Sequence, residues 1–321
     1  MHLTCDRERQ RSAFSTTGRF DLYPLTFENA ATMSESLHPD ELRRFAVELA
    51  HRGGRAADRL FGKVSVRRKP DKSPVTEADH IAQDAILRAI AERFPDHAVL
   101  VEETLADPSR HGRIKSSPYC WVVDPLDGTR NFARGIRIYA CSIAVLYNGR
   151  PIAGAIYDAS SGVMYSAASG GGALRNEDRI LLDGSVPAIS THHAANVAPL
   201  VGSDRETTIA VGSFRRKPMP PFVRDWIGRY LIRNMGSTSL HFAWIAAGLV
   251  DAAYTNECKL WDIAAAALLI EESGGLMTTA SGASPWPVQL DAYGGEDFNV
   301  LGGARAIHHQ LLTDMRGHDP S

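Results

Sequence analysis

The chain has 321 residues, 44% of them hydrophobic, enough for a large core built as one big domain or two modest ones. Its 35 basic and 37 acidic residues leave a formal charge of -2, a balance that argues against nucleic acid or an anionic membrane as partner. Cys5, Cys120, Cys141 and Cys258 fit neither a zinc spacing nor a disulfide framework, which suggests a reducing cytoplasm, and no apolar run approaches the ~18 residues of a membrane span.

Residues 1–36 mix Arg, Ser, Thr, Asp and Glu without periodicity and without the apolar core of a signal peptide. They are expected to be a disordered N-terminal extension, with Met33 an alternative start. From Pro39 to Phe61 apolar residues recur at helical spacing, weakened in the middle by Gly53-Gly54. Lys69 to Pro74 reads as a loop. A second helix should begin near Thr76, with Ile81, Ala82, Ala85, Ile86, Ala89, Ile90 and Phe94 inward. Thr76-Glu77-Ala78-Asp79 has the form of an N-cap with an acid at the third helical position. On local grounds Asp79 is therefore a cap, although the same geometry points it toward whatever the preceding loop faces.

Ala98 to Val101 reads as a strand ending on Glu102-Glu103, and Cys120 to Val123 as a buried strand that runs out at Asp124. Pro125 and Gly128 then predict a turn. Strands over Ala140–Tyr147, Ile152–Tyr157 and Val163–Ala167 form an antiparallel meander, with Asn148-Gly149 as a hairpin signal. Gly170-Gly171-Gly172 lacks nucleotide-fingerprint spacing and is expected to be a loop. Asp183 to Val201 is polar and irregular, a boundary between a first α+β domain over 37–185, carrying an antiparallel sheet, and a second α/β domain over 186–321. In the second, strands at 208–211, 231–235, 252–255, 276–279 and 299–301 alternate with helices at about 221–230, 239–247, 263–273 and 304–315.

Asp124-Pro125-Leu126-Asp127-Gly128-Thr129 admits two readings. Asp, Pro and Gly are ordinary turn residues. Equally, two acids at the mouth of a buried strand repel unless a cation lies between them, and carboxylate and carbonyl oxygens suit a hard divalent ion. The Gly128-Thr129 backbone suits a phosphate. Glu102, Asp124, Asp127 and Asp262 all stand at strand ends or helix starts, so they can converge, and all-oxygen ligation favours Mg²⁺ or Mn²⁺ over zinc. There is no G-x-S-x-G, Walker A or H-E-x-x-H motif. Of the paired histidines at 192–193 and 308–309, the second pair is expected to face solvent.

Four segments together resemble the inositol monophosphatase superfamily of Mg²⁺-dependent, lithium-sensitive sugar phosphatases. They are Asp71 to Asp79, Glu102-Glu103, Trp121 to Phe132, and Trp261-Asp262-Ile263-Ala264-Ala265 with Glu272-Ser273-Gly274-Gly275. The resemblance implies an αβαβα layered sandwich of the α+β class, usually a homodimer, holding two or three Mg²⁺ ions. It implies metal ligation by Glu102, Asp124, the Leu126 carbonyl, Asp127 and Asp262. Thr129 with Glu102 would orient the attacking water, Asp79 would stand near a third metal, and Asp127, Gly128, Thr129, Thr238 and Thr255 would meet the substrate. The local reading of Asp79 as a cap alone is thereby reversed.

The implied activity is hydrolysis of a small phosphorylated polyol, sugar or amino alcohol by a metal-activated water attacking in line. Relatives of this kind usually carry a Glu seven residues before the W-D aspartate, where it holds substrate hydroxyls. Here that position is Thr255, followed by Asn256 and Glu257, and the usual Thr after D-G-T is Arg130. Inositol phosphate is therefore not expected to be the main substrate. Histidinol phosphate, fructose 1,6-bisphosphate and 3'-phosphoadenosine phosphate are alternatives, the last two because Arg130, Arg134 and Arg137 follow the phosphate turn. A regulatory binding protein that retains the fold is the non-enzyme alternative.

Overall fold

The amphipathic pattern after Leu37 produces helix α1, Pro39–Asp58, with Pro at its start and the His38 ring accepting the Asp40 N–H. The structure, a computed structural model, describes residues 37–68, 74–102, 116–182 and 206–318. The extension over 1–36, most of the loop over 69–74, Glu103, the boundary stretch 183–201 and the first histidine pair lie outside these residues. Helix α2, Glu77–Arg93, packs beside α1. Gly53 permits this approach, since a Cβ there would meet Ile86 at 2.6 Å; Gly54 instead lets α1 lie against Tyr157, which a Cβ would meet at 2.6 Å. The glycines that weaken the helix in isolation are what let it pack.

Strands β1 (Val66–Arg68) and β2 (Pro74–Thr76) form a small antiparallel ribbon. Strands β3 (Ala98–Val101), β4 (Tyr119–Asp127), β5 (Ala140–Tyr147), β6 (Arg150–Asp158), β7 (Val163–Ala168), β8 (Gly172–Arg175) and β9 (Asp178–Ile180) form one sheet in that order. Only β3 and β4 pair in parallel; the rest is the expected meander, extended by β8 and β9, which the sequence pattern did not reveal. A short helix α3 follows β4 at Thr129–Ala133.

The second sheet has the order β11-β10-β12-β14-β13. Its strands are β10 (Thr208–Val211), β11 (Leu231–Arg233), β12 (Ala252–Cys258), β13 (Leu276–Thr279) and β14 (Phe298–Gly303). Helices α4 (Pro221–Ile227), α5 (Thr238–Ala246), α6 (Leu260–Glu272) and α7 (Arg305–Arg316) complete the chain.

Strand alternation sorts the layers. Trp121, Val123, Ile143 and Val145 face α1 and α2. Their neighbours Cys120, Val122, Ala144 and Leu146 face the opposite way, toward α5 and α6. The far side of the second sheet packs Ile209, Val211 and Tyr254 on Phe222, Trp226, Leu311 and Met315 of α4 and α7. This is helix, sheet, helix, sheet, helix: the αβαβα sandwich. Helix α6 lies in the middle layer, and Ile263 to Ile270 is buried on every side, as a helix between two sheets must be.

Two expectations need correction. Ile81 is 40% exposed; the buried stripe of α2 runs through Ala78, Ala82, Ile86, Ala89 and Ile90, and Ile81 sits about 100° around the helix from Ala82. His308 is buried against Thr278, its Nε2 3.0 Å from the Thr Oγ1, while His309 faces solvent. Adjacent residues do point apart, but here one of them points into the core. Among the described residues no helix is long and apolar enough to cross a membrane.

Candidate metal and phosphate site

The two acids of the D-P-L-D segment stand three residues apart, so on a regular strand they would face opposite sides of the sheet. Strand β4 does not run out at Asp124 as its sequence suggests. It continues to Asp127 through an irregularity: Asp124 pairs with Ser142 and Asp127 with Ala140, so β4 has one residue more than β5 between the two pairs. Pro125, without an N–H, occupies the interrupted stretch, where no ladder bond is lost. The extra residue brings both side chains to one side. Asp262, three residues into α6, joins them, and one carboxylate oxygen from each of Asp124, Asp127 and Asp262 lies within 4.8 Å of the others.

The three acids differ in their surroundings. Asp124 is buried and accepts only the Leu126 N–H, at 3.0 Å. Burial, then the negative charges of Glu102, Asp127 and Asp262, push its pKa well above the usual carboxylate range. Burial, and next the charge of Asp127, do the same to Asp262, whose Oδ2 accepts the Lys259 N–H at 2.7 Å. Asp124 and Asp262 present carboxylate oxygens within 4.8 Å of each other, and the charge of Asp262 adds to the rise at Asp124. Burial raises Asp127 too, but Ser237 Oγ, Ser239 N–H and Thr238 N–H all donate to it and oppose the shift.

Asp79 serves both of its expected readings. Its Oδ2 accepts the Thr76 N–H and hydroxyl, each at 2.7 Å, closing a capping box at the start of α2. Its Oδ1 accepts Thr129 Oγ1 at 3.2 Å, and the same hydroxyl lies 2.9 Å from the Leu126 carbonyl. Asp79 is buried; desolvation raises its pKa, and the charge of Glu102 adds to the rise against the Thr76 and Thr129 hydrogen bonds. Gly128 precedes α3 at φ 88°, where a Cβ would lie 2.8 Å from the Ile138 carbonyl oxygen, so only glycine fits.

A cleft of about 1030 Å³ opens over these groups, lined by Glu102, Asp124, Leu126, Asp127, Gly128 and Thr129 from the first sheet and by Thr238, Thr255 and Asp262 from the second half of the chain. Every metal ligand and substrate contact expected from sequence except Asp79 lines it, and Asp79 reaches it through Thr129. Glu102 stands outside the tight triad of Asp124, Asp127 and Asp262. Closely placed acids whose pKa values are raised by burial, one carbonyl between them, and no lysine or arginine within the triad make a donor set that fits a hard divalent cation.

Residues 38–318 match the family model described as the inositol monophosphatase family. The chain belongs to the inositol monophosphatase family. Inositol-1-monophosphatase of Mesorhizobium japonicum is 31% identical over 289 residues, covering 84% of this chain and 94% of that protein. Nus factor SuhB of Pseudomonas aeruginosa is 30% identical over 285 residues, covering 85% and 97%. The solved structure of extragenic suppressor protein suhB from Bartonella henselae superposes with a TM-score of 0.68 at 25% identity, covering 86% of this chain and 98% of that one.

In this member of the inositol monophosphatase family several site residues carried no local sequence signal. Ser237 and Ser239 hold Asp127 from across the cleft. The strap that delivers them is pinned at Met235, whose carbonyl accepts Asn131 Nδ2 at 2.7 Å and whose N–H donates to His241 Nε2 at 2.8 Å. Burial lowers the His241 pKa to about 4, so the ring is neutral near pH 7 and accepts at Nε2 with its proton on Nδ1. The partners are separated by about a hundred residues, and only the folded chain brings them together. Thr255 is buried, with its Oγ1 against Gly212. Glu257, two residues on in β12, accepts the Arg216 and Lys217 N–H groups at 2.9 and 2.7 Å and pairs with the Arg216 guanidinium at 3.1 Å.

Proposed function

We propose that the protein is a Mg²⁺-dependent phosphomonoesterase acting on a small phosphorylated metabolite other than inositol phosphate. The observation that carries this reading is the convergence of Asp124, Asp127 and Asp262, with oxygens within 4.8 Å, beside the Thr129–Asp79 pair. Glu102, the Leu126 carbonyl and the three aspartates would hold the ions. A bound divalent cation would neutralise phosphoryl oxygens and lower the pKa of water.

The chain's own groups supply the rest. Thr129 Oγ1 has one proton, which it gives to Asp79 or to the Leu126 carbonyl, so its lone pairs are left to accept from a water in the cleft. Asp79, raised by burial, is a stronger base than an exposed carboxylate, which suits the receiving end of that hydrogen-bond chain. The turn at Gly128 and Thr129 would hold the phosphoryl group in line with the water. Ser237 and Ser239 fix the Asp127 carboxylate, so that it need not reorganise when charge arrives.

The substrate part of the proposal rests on Thr255. Its hydroxyl is short and neutral and cannot match a carboxylate that accepts from two neighbouring hydroxyls. Glu257 is held by Arg216 and Lys217 and cannot take over. Release of phosphate from inositol phosphate, histidinol phosphate, fructose 1,6-bisphosphate and 3'-phosphoadenosine phosphate, with and without Mg²⁺, tests the reading. No release from any of them in Mg²⁺ would defeat it and favour a regulatory binding protein, the reading to which the Nus factor name of the Pseudomonas aeruginosa relative lends weight. We also propose a homodimer, which sedimentation measures.

A further inference from the structure

The cleft has a negative floor and a positive rim, and the rim cations are not equivalent. Arg216 bonds Glu257 and lies 3.0 Å from Asp297. Lys259 and Lys217 reach the same Asp297 at 2.9 and 3.3 Å. These three cations share the carboxylates of Glu257 and Asp297. Arg137 follows the phosphate turn but does not line the cleft; it faces Asp58 at 3.6 Å and lies 4.3 Å over the Phe61 ring.

Arg134 and Arg215 differ from all of these. Both line the cleft and are exposed, and neither side chain has a carboxylate partner among the described residues. Arg134 ends α3, the element that begins with Thr129; Arg215 comes from the loop after β10, in the other half of the chain. The cleft is also lined by Ser213 and Asn234, whose side chains hydrogen-bond to each other at 3.2 Å. Once cations offset the acids on the floor, these two guanidiniums remain as unmatched positive charge on the substrate's side of the cleft. Guanidinium is the group best suited to phosphate and carboxylate oxygens.

We propose that Arg134 and Arg215 form a subsite for a second anionic group, so that the preferred substrates are phosphomonoesters carrying a further phosphate or carboxylate. This rests on the phosphatase reading above and narrows its substrate class. Sequence alone grouped Arg130, Arg134 and Arg137; in the fold Arg130 and Arg134 line the cleft, Arg137 does not, and Arg215 joins from some eighty residues away.

The test uses the full chain in Mg²⁺ with two matched pairs: fructose 1-phosphate against fructose 1,6-bisphosphate, and glycerol 2-phosphate against 2-phosphoglycerate. The pairs separate a second phosphate from a carboxylate. The wild type should prefer at least one doubly anionic member by about tenfold or more in kcat/KM. Arg134→Gln, Arg215→Gln and the double variant should lower kcat/KM for that member, mainly through KM, about tenfold more than for its singly anionic partner. Arg224→Gln, an exposed arginine on α4 that does not line the cleft, controls for net charge and should not change the ratio. Equal kcat/KM within both pairs, or a ratio that the double variant does not move, overturns the subsite. If no member is hydrolysed, the phosphatase reading is decided separately by the four-substrate panel above. Thermal shifts with the same four compounds then still decide the subsite: a larger shift for the doubly anionic member that vanishes in the double variant supports it, and equal shifts overturn it.

Discussion

Replacing Asp124 by Asn should abolish phosphate release and, without divalent cations, make the protein more stable. Oxygens of Asp124, Asp127 and Asp262 lie within 4.8 Å of one another, and two unit charges at that distance repel by about 3.5 kcal/mol at an effective dielectric near 20. Protonation relieves much of this: burial raises the pKa of all three, and neighbouring acids add to the rise at Asp124 and Asp262. The remaining cost to the metal-free fold should be about 1–3 kcal/mol, or several degrees in melting temperature for a chain of this size. Asn keeps an oxygen for the Leu126 N–H, so the local turn survives. The sign of the pH dependence follows from the direction of the shifts. Folded pKa values above the unfolded ones mean that the folded state binds more protons, so this contribution is intact below about pH 4 and is lost as pH rises through the raised values. Melting in EDTA at several values between roughly pH 5 and 8 should therefore show the wild type losing stability relative to Asp124→Asn as pH rises. Added Mg²⁺ should reverse the order at high pH, because binding needs ionised carboxylates. A metal-free Asp124→Asn protein less stable than wild type, or one that keeps its Mg²⁺ response and turnover, would refute the reasoning.

Thr129→Ala should lower kcat by two orders of magnitude or so with little change in KM, since a water-orienting contact is worth most in the transition state; a rise in KM at constant kcat would make the residue a ground-state phosphate contact instead. His241→Leu removes the acceptor for the Met235 N–H and should cost about 1–3 kcal/mol in stability and weaken Mg²⁺ activation through the Ser237–Asp127 contact. His241→Gln, with an oxygen able to take the place of Nε2, should recover most of both, and equal damage in the two variants would show that the ring matters only for packing. Thr255→Glu should move kcat/KM toward inositol phosphate by at least about tenfold, as expected for a charge-assisted contact to a hydroxyl pair, and an unmoved substrate ranking across the panel would remove Thr255 from the account of specificity.

What could be read in the sequence divides along a physical line. Elements whose signal is local appeared close to where they are: the α2 capping box at Thr76, the Asn148-Gly149 hairpin with both residues at positive φ, the start of α6 at Trp261-Asp262. The layered sandwich was legible through the resemblance, not through periodicity, which could not distinguish the two faces of strands buried on both sides. The course of β4 was misjudged because Pro and Gly signal a turn whether a chain reverses or only bulges. Strands β8 and β9 are four and three residues long and carry Gly and charged residues, too short for alternation to register. Ile81 and His308 were misplaced because helix orientation depends on what the helix packs against. The acids of the site stood out since Asp at a strand end is unusual chemistry. Their supports, Ser237, Ser239, Asn131 and His241, are common residue types at ordinary places, and their roles exist only in three dimensions.

The supports explain why the three aspartates are not interchangeable. Asp127 receives a hydroxyl and two backbone N–H groups, all from the N-terminus of α5. Three donors can stabilise an anion but leave little acceptor capacity for a proton to occupy, so Asp127 is the member best able to stay charged in the empty site. Asp124 and Asp262 have one backbone donor each, so less opposes the burial that raises their pKa values. On the proposed reading, a cation would meet the better stabilised charge of Asp127 first. That order would follow from the chain: Asp127 is held by a strap that Asn131 and His241 clamp at Met235, whereas Asp124 and Asp262 come from different layers and each accepts a single backbone N–H. Loosening the strap should therefore affect the first encounter with the ion, and removing Asp124 or Asp262 should affect how tightly it is kept.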